Sequence, residues 1–228
     1  MWFLSLFVLA LTGSSSEASA GQLTSQLQSA PEMVWLGLDF SRVRIFTPET
    51  FDDPEERVFW DPGGGLGDVV TRFKKPKDAW DLLIADWNAM AVNSHVEDIE
   101  KALQREILVD LPTPSGQTQR KGDAFFESIY DAKNTPVELN QTVITDMVKK
   151  YKVKTKKGIG LVFVMDRFSG PDKEVCAWPT FIQLEKKTVI STERVCKKPG
   201  GSGYRNYWFS IVPSYIKDMT KAIKKDDF

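Results

Sequence analysis

The segment Gly158–Phe168, GIGLVFVMDRF, limits the fold more than any other part of the chain. It is almost continuously apolar, rich in β-branched and aromatic residues, and far too short to cross a membrane. A strand buried on one face alternates apolar with polar residues, whereas a continuous run belongs to a strand buried on both faces. Helices must then lie above and below it, which gives three layers. With 228 residues, 42% apolar and 27% charged, the chain is globular and long enough for one such core.

The flanking patterns supply the other elements. Val34–Phe46 (VWLGLDFSRVRIF) reads as a first strand. A long loop follows over 47–68, marked by Pro48, Pro54, Pro62 and a glycine cluster. Lys77–Asn93 carries Trp80, Leu83, Ile84, Trp87, Met90 and Ala91 at helical spacing, with Asp78 as its cap. Two tryptophans on one stripe point to core packing. His95–Gln104 reads as a second helix, Ile107–Val109 as a short strand and Thr142–Tyr151 as a third helix, with residues 112–139 irregular. Glu174–Leu184 and Thr188–Lys197 form a predicted hairpin. Tyr204–Lys225 is a closing amphipathic helix that Pro213 should kink or break in its first turn. The fold class is therefore α/β (α+β): a single three-layer domain over 33–228, with a mixed β-sheet and a C-terminal hairpin flanked by helices.

The amino terminus reads as an address. Trp2–Thr12 is apolar, and Ala18-Ser19-Ala20 is a cleavage pattern, so residues 1–20 form a predicted signal peptide despite lacking a basic n-region. The alternative is a buried N-terminal helix. No Cys follows the apolar run, so we expect no bacterial lipid anchor. Residues 21–32 read as a flexible lead-in. We expect a secreted or periplasmic protein with no membrane span.

Without residues 1–20 the chain has no net charge, but its charge is uneven. Residues 21–146 hold 12 basic and 22 acidic side chains, and residues 147–228 hold 18 and 8. Such asymmetry marks either a polyanion-binding face or two parts of one domain that attract each other; we expect the second. Six lysines (Lys149, Lys150, Lys152, Lys154, Lys156 and Lys157) fall within nine residues. They suit nucleic acid, lipopolysaccharide or acidic glycans, but also a solvated helix end. Only Tyr151 interleaves them as an aromatic, so we expect no nucleic acid partner.

Cys176 and Cys196 lie on the two hairpin strands. If Leu184 opposes Thr188 across a three-residue loop, the cysteines face each other and can form a disulfide in an oxidising compartment. A one-residue change in the loop spoils that alignment and leaves two free thiols.

Catalytic motifs are sparse. The single histidine, His95, excludes catalysis that needs two histidines and most zinc sites. Gly63–Asp68 lacks the Gly-Lys-Ser/Thr of a phosphate loop. Asn140-Gln141-Thr142 is a glycosylation sequon. Asp39 and Asp166 sit in apolar strands; on neighbouring strands they can share a cleft as acid and base, or bind a cation. Alternatively, Asp166 pairs with Arg167 or Arg42, or points outward. Gly200, Gly201 and Gly203 precede a helix beside Arg205, Asn206 and Tyr207, which makes this turn a candidate binding surface and a weak anion site. The competing role is to cap and orient the helix. We expect no cofactor, no metal and no catalytic residue.

VWLGLDFSRVRIF, KKGIGLVFVMDRF and STERVCKKPGGSGYRNYWFSIV together resemble an uncharacterised family of exported bacterial proteins with WLGLDFS, GIGLVF and GKPGGxGxRNYW-like segments. This chain departs from that pattern at Cys196, and at Ser202, where the family pattern has an aromatic. The strand–hairpin–helix ending is similar in topology to the anticodon-binding-like domains of TolB amino-terminal and CsgG type, which mediate protein contacts in the envelope. Export, a single mixed-sheet domain and the absence of a catalytic constellation lead us to expect a non-catalytic envelope or extracellular domain that binds a protein or surface component. The rival expectations are a secreted hydrolase using Asp39 and Asp166, and a polyanion-binding protein using Lys149–Lys157.

Overall fold

The computed structural model describes residues 20–46, 76–111, 139–169, 172–200 and 204–225. They form α1 (Ala20–Ser29), β1 (Met33–Asp39), β2 (Arg44–Phe46), α2 (Pro76–Leu103), β3 (Ile107–Val109), α3 (Gln141–Lys149), β4 (Ile159–Ser169), β5 (Glu174–Gln183), β6 (Thr188–Thr192), β7 (Val195–Lys197), α4 (Tyr204–Phe209) and α5 (Ile211–Lys225). All the strands join one sheet in the order β3-β1-β4-β5-β6, with β2 also beside β4 and β7 beside β5. β1 is parallel to β3 and β4, and β2 is parallel to β4. The β4–β5, β5–β6 and β5–β7 pairs are antiparallel. This is the mixed sheet with a C-terminal hairpin expected from the sequence.

β4 lies at the centre, and every residue in it except Arg167 is buried. Its two faces feed two cores. Leu161, Phe163, Met165 and Phe168 pack with Leu27, Trp87, Ile99, Trp208 and Ile216 from the helices on one side. Val162 and Val164 pack with Val34, Leu36, Ile144 and Val148 on the other. The rings of Trp87 and Phe168 stack at 5.7 Å, and Trp208 meets Phe168 edge-on at 5.5 Å. Trp87 is thus a core residue, as its place in the helical stripe predicts.

Two bulges decide which residues face which core. In β1 the register shifts between Trp35 and Gly37, and Gly37 takes φ 90°. Leu36 and Leu38, two apart, consequently enter opposite cores. In β4 the shift falls at Asp166, so Met165 and Phe168, three apart, share a core.

Several boundaries differ from the sequence reading. Residues 21–32 are mostly not a flexible lead-in: α1 occupies Ala20–Ser29, and Leu23 and Leu27, one turn apart, enter the core. Two apolar residues in a polar stretch give a stripe too thin to read. Arg105 fixes the end of this helix by donating to the carbonyls of Leu27 (3.1 Å) and Pro31 (3.0 Å). Residues 1–19, with most of the predicted signal peptide, lie outside the described residues, as do the loop 47–68 and Gly63–Asp68.

The helices predicted over 77–93 and 95–104 are one helix, α2. No Gly or Pro separates them. The buried stripe runs on through Trp87, Ala91, Ile99 and Leu103, with His95 between, its ring 5.7 Å from that of Phe209. The first predicted strand is instead interrupted, because the Asp39 carboxylate accepts the Ser41 N–H at 2.8 Å and turns the chain. The closing helix breaks at Ser210, which places Pro213 in the first turn of α5, where its missing N–H costs little.

Cys176 faces Cys196 and forms the disulfide, although the loop is not the one assumed. Gln183, not Leu184, opposes Thr188, so the turn is one residue longer. A register shift between Phe181 and Ile182 absorbs the extra residue, and Phe181 opposes Ser191. Beyond it the strands regain the register that aligns the cysteines.

The Cys176→Ala/Cys196→Ala variant should lose about 3 kcal/mol in urea denaturation, as chain entropy gives for a separation of 20 residues. Trp208→Ala should cost about 3–5 kcal/mol, since it empties the space between α4 and β4. A loss under about 1 kcal/mol would mean that α4 does not seal the core.

Candidate functional site

Three carboxylates are buried among the described residues, and all lie at or near the carboxyl ends of parallel strands. Asp39 ends β1, Asp110 follows β3, and Asp166 precedes the last turn of β4. Ligand crevices of open α/β sheets form at such ends. Asp39 pairs in register with Val164, two residues before Asp166. The two predicted carboxylates therefore sit on neighbouring strands, with Asp166 at the bulge of β4 two residues beyond the partner of Asp39.

Each is nonetheless committed to fixed donors. Asp39 Oδ1 accepts the Ser41 N–H, and its Oδ2 accepts the Tyr151 hydroxyl at 2.6 Å. Asp166 Oδ2 accepts from Arg194 Nε at 2.5 Å, while its buried Oδ1 has no partner among the described residues. Asp166 pairs with neither Arg167 nor Arg42 there: Arg167 forms a salt bridge with Asp172, whose carboxylate also accepts the Ser169 hydroxyl at 2.7 Å. Asp110, which the sequence reading missed, accepts the N–H groups of Lys154 (2.6 Å) and Thr155 (3.0 Å) on one oxygen. The only sequence signal for this was an Asp closing the apolar triplet Ile107-Leu108-Val109.

Two of these carboxylates thus hold one feature, the lysine-rich connector after α3. The helix ends at Lys149, earlier than the predicted Tyr151, and the lysines continue into irregular backbone. Burial there alternates. Lys150, Lys152, Lys154 and Lys156 are exposed, Tyr151 and Thr155 are half-buried, and Val153 is buried in the second core. The chain is pinned from below by the Tyr151 hydroxyl on Asp39, the Lys187 ammonium on the Tyr151 carbonyl (2.8 Å), Val153, and the two amides on Asp110. Gly158 closes it at φ 93°; a Cβ there would lie 2.2 Å from the Glu32 carbonyl oxygen. Lys149 pairs with Asp146, and Lys156 donates to the Val153 carbonyl. Lys150, Lys152, Lys154 and Lys157 form no salt bridge among the described residues, although, behind the Lys149 hydrogen bond, the Lys150 charge helps hold the Asp146 carboxyl below its usual range.

The glycine turn is less complete. The Gly200 N–H donates to Ser210 Oγ at 2.9 Å, which ties the turn to the start of α5 and commits that amide. Asn206 is exposed on α4. Gly201 and Gly203, and the side chains of Arg205 and Tyr207, lie outside the described residues. Asn140 of the sequon caps α3, its Oδ1 accepting the Val143 N–H at 3.0 Å. The Glu174 carboxylate and the two cysteine sulfurs lie within 4.8 Å of one another, but the sulfurs are bonded to each other and are not thiolate ligands.

Burial, reinforced by the Asp39 charge, holds the Tyr151 phenol well above its ordinary pKa, and burial followed by Glu193 raises Tyr215. A raised phenol favours folding while it is neutral. Its contribution is complete below about pH 10, where an unfolded tyrosine starts to ionise, and is lost as pH rises further. Denaturation midpoints should therefore fall above about pH 10, and fall less in Tyr151→Phe. Parallel declines in the two proteins would contradict the Asp39–Tyr151 contact.

No family model matches this chain, and no characterised protein or solved structure is detectably similar to it.

Proposed function

We propose that this is an exported, non-catalytic domain that binds a protein or surface component of negative charge through the lysine face of residues 150–157. The observation that carries the reading is the alternation of exposed lysines with inward-pointing residues on a connector fixed at several points. Side chains held by an ordered backbone lose less freedom on binding than those on a frayed helix end. The charge asymmetry agrees. Among the described residues, the basic half forms ion pairs within itself, as in Lys197–Asp218 and Arg194–Asp166, and one with its sequence neighbour Asp146 through Lys149. Among the described residues, Lys152, Lys154 and Lys157 form no salt bridge, which supports their availability to an outside partner.

Export is supported by the signal-like residues 1–20 and by the disulfide, which oxidising compartments favour. Among the described residues, no helix is long and apolar enough to cross a membrane. The non-catalytic reading rests on the fixed donors that occupy both oxygens of Asp39 and Oδ2 of Asp166. The turn at Gly200 is the weaker binding surface, since its one described amide is already committed to Ser210.

Heparin retention tests the reading. The wild type should elute at raised salt, and Lys150→Glu/Lys152→Glu/Lys154→Glu should pass through at low salt with its unfolding midpoint nearly unchanged. The dependence of log affinity on log salt should flatten by roughly one unit for each lysine that no longer neutralises an anionic group. Equal retention of both proteins would remove the lysine face from the function.

A further inference from the structure

Beside the lysines runs the edge of the sheet. β3 pairs with β1 and stands last in the strand order. Leu108 is 40% exposed and Val109 46%. Successive strand residues point to opposite faces, so side chains are exposed on both, and among the described residues no strand pairs with the outer side of β3. The Asp110 N–H donates to the Trp35 carbonyl at 3.0 Å, and that of Ile107 to Glu100 Oε1 at 2.9 Å. Backbone direction alternates along a strand, so Leu108 and Asp110 aim at β1, while Val109 turns its N–H and C=O outward. Asp110, the next residue, grips Lys154 and Thr155. The open strand and the lysines therefore form one continuous surface.

We infer that the β3 edge is a strand-addition site for an acidic, extended segment of another protein. The inference rests on the lysine-face reading above and names its partner. An extended polypeptide supplies main-chain groups to pair with Val109, apolar side chains for Leu108 and Val109, and carboxylates for the lysines. Alternate residues of an extended chain recur about every 6.6–7 Å and point the same way, so alternate acidic side chains can face the lysines together. A second copy of this chain is disfavoured, because it would bring the same lysines. Short edges rich in lysine repel self-pairing, and the same charges select an acidic strand. A membrane fits less well, since Leu108 and Val109 point to opposite faces and cannot enter one lipid surface together.

The probe is a fluorescein-labelled peptide of four Glu-Val repeats, followed by anisotropy with the full chain. The wild type should bind it, and N-methylation of alternate peptide amides should weaken binding at least tenfold at unchanged charge. Val109→Pro removes only an outward N–H, so it should weaken the peptide at least tenfold while heparin retention and the circular dichroism spectrum persist. Equal binding of the methylated and unmethylated peptides overturns strand addition even if Val109→Pro fails to fold. Lysine-dependent heparin retention with no peptide binding, or with phosphatidylserine vesicles bound instead, overturns strand addition and leaves the lysine face standing. Heparin and peptide binding that both survive the lysine reversals overturn the lysine-face reading itself.

Discussion

Burial of β4 on both faces is the constraint on which the rest of the structure depends. A strand with ten of its eleven residues withdrawn from water cannot sit at an edge or cover a surface. It needs hydrogen-bonding neighbours on both sides and an apolar layer above and below. β1 and β2 supply one neighbour and β5 the other. The long helix α2, with α1, α4 and α5, covers one face, and α3 with the connector after it covers part of the other. The large apolar side chains of the described core are thereby assigned, including Trp35, Trp87 and Trp208.

The polar consequences follow from the same burial. Where parallel strands end, their last side chains meet loops rather than core, and a carboxylate can remain buried if donors reach it. Asp39 and Asp110 meet that condition by accepting bonds from the segment that carries the lysines. The buried end of the sheet thus sets the form of an exposed surface. Asp166 meets it differently, through Arg194, which follows β6 and precedes β7. The disulfide joins β7 to β5 one residue beyond Val195, so the staple and the ion pair fix the same corner of the sheet.

Much of the fold was legible because burial leaves a periodic trace. The run at 158–168, the stripe through Trp87 and Ala91, and the hairpin each state their environment in local spacing. Bulges leave no such trace. Gly37 and Asp166 shift the faces of two strands without altering composition, and the hairpin register was restored by a shift that pattern reading did not contain. The helix over Ala20–Ser29 was hidden for a related reason: two leucines suffice once a core exists to receive them.

The candidate site divides in the same way. The sequence by itself determined a central buried strand, the three-layer mixed sheet and the density of lysines after residue 148, because each depends on local spacing or count; the opposition of Cys176 to Cys196 also needed the bulge between Phe181 and Ile182. Tertiary structure alone decided that Asp39 and Asp110 anchor a backbone segment, that alternate lysines face outward, and that Val109 turns its main chain away from β1, the one described neighbour of β3. Those facts depend on which residues distant in sequence meet, and a chain's own order of side chains does not encode such meetings until the core has closed.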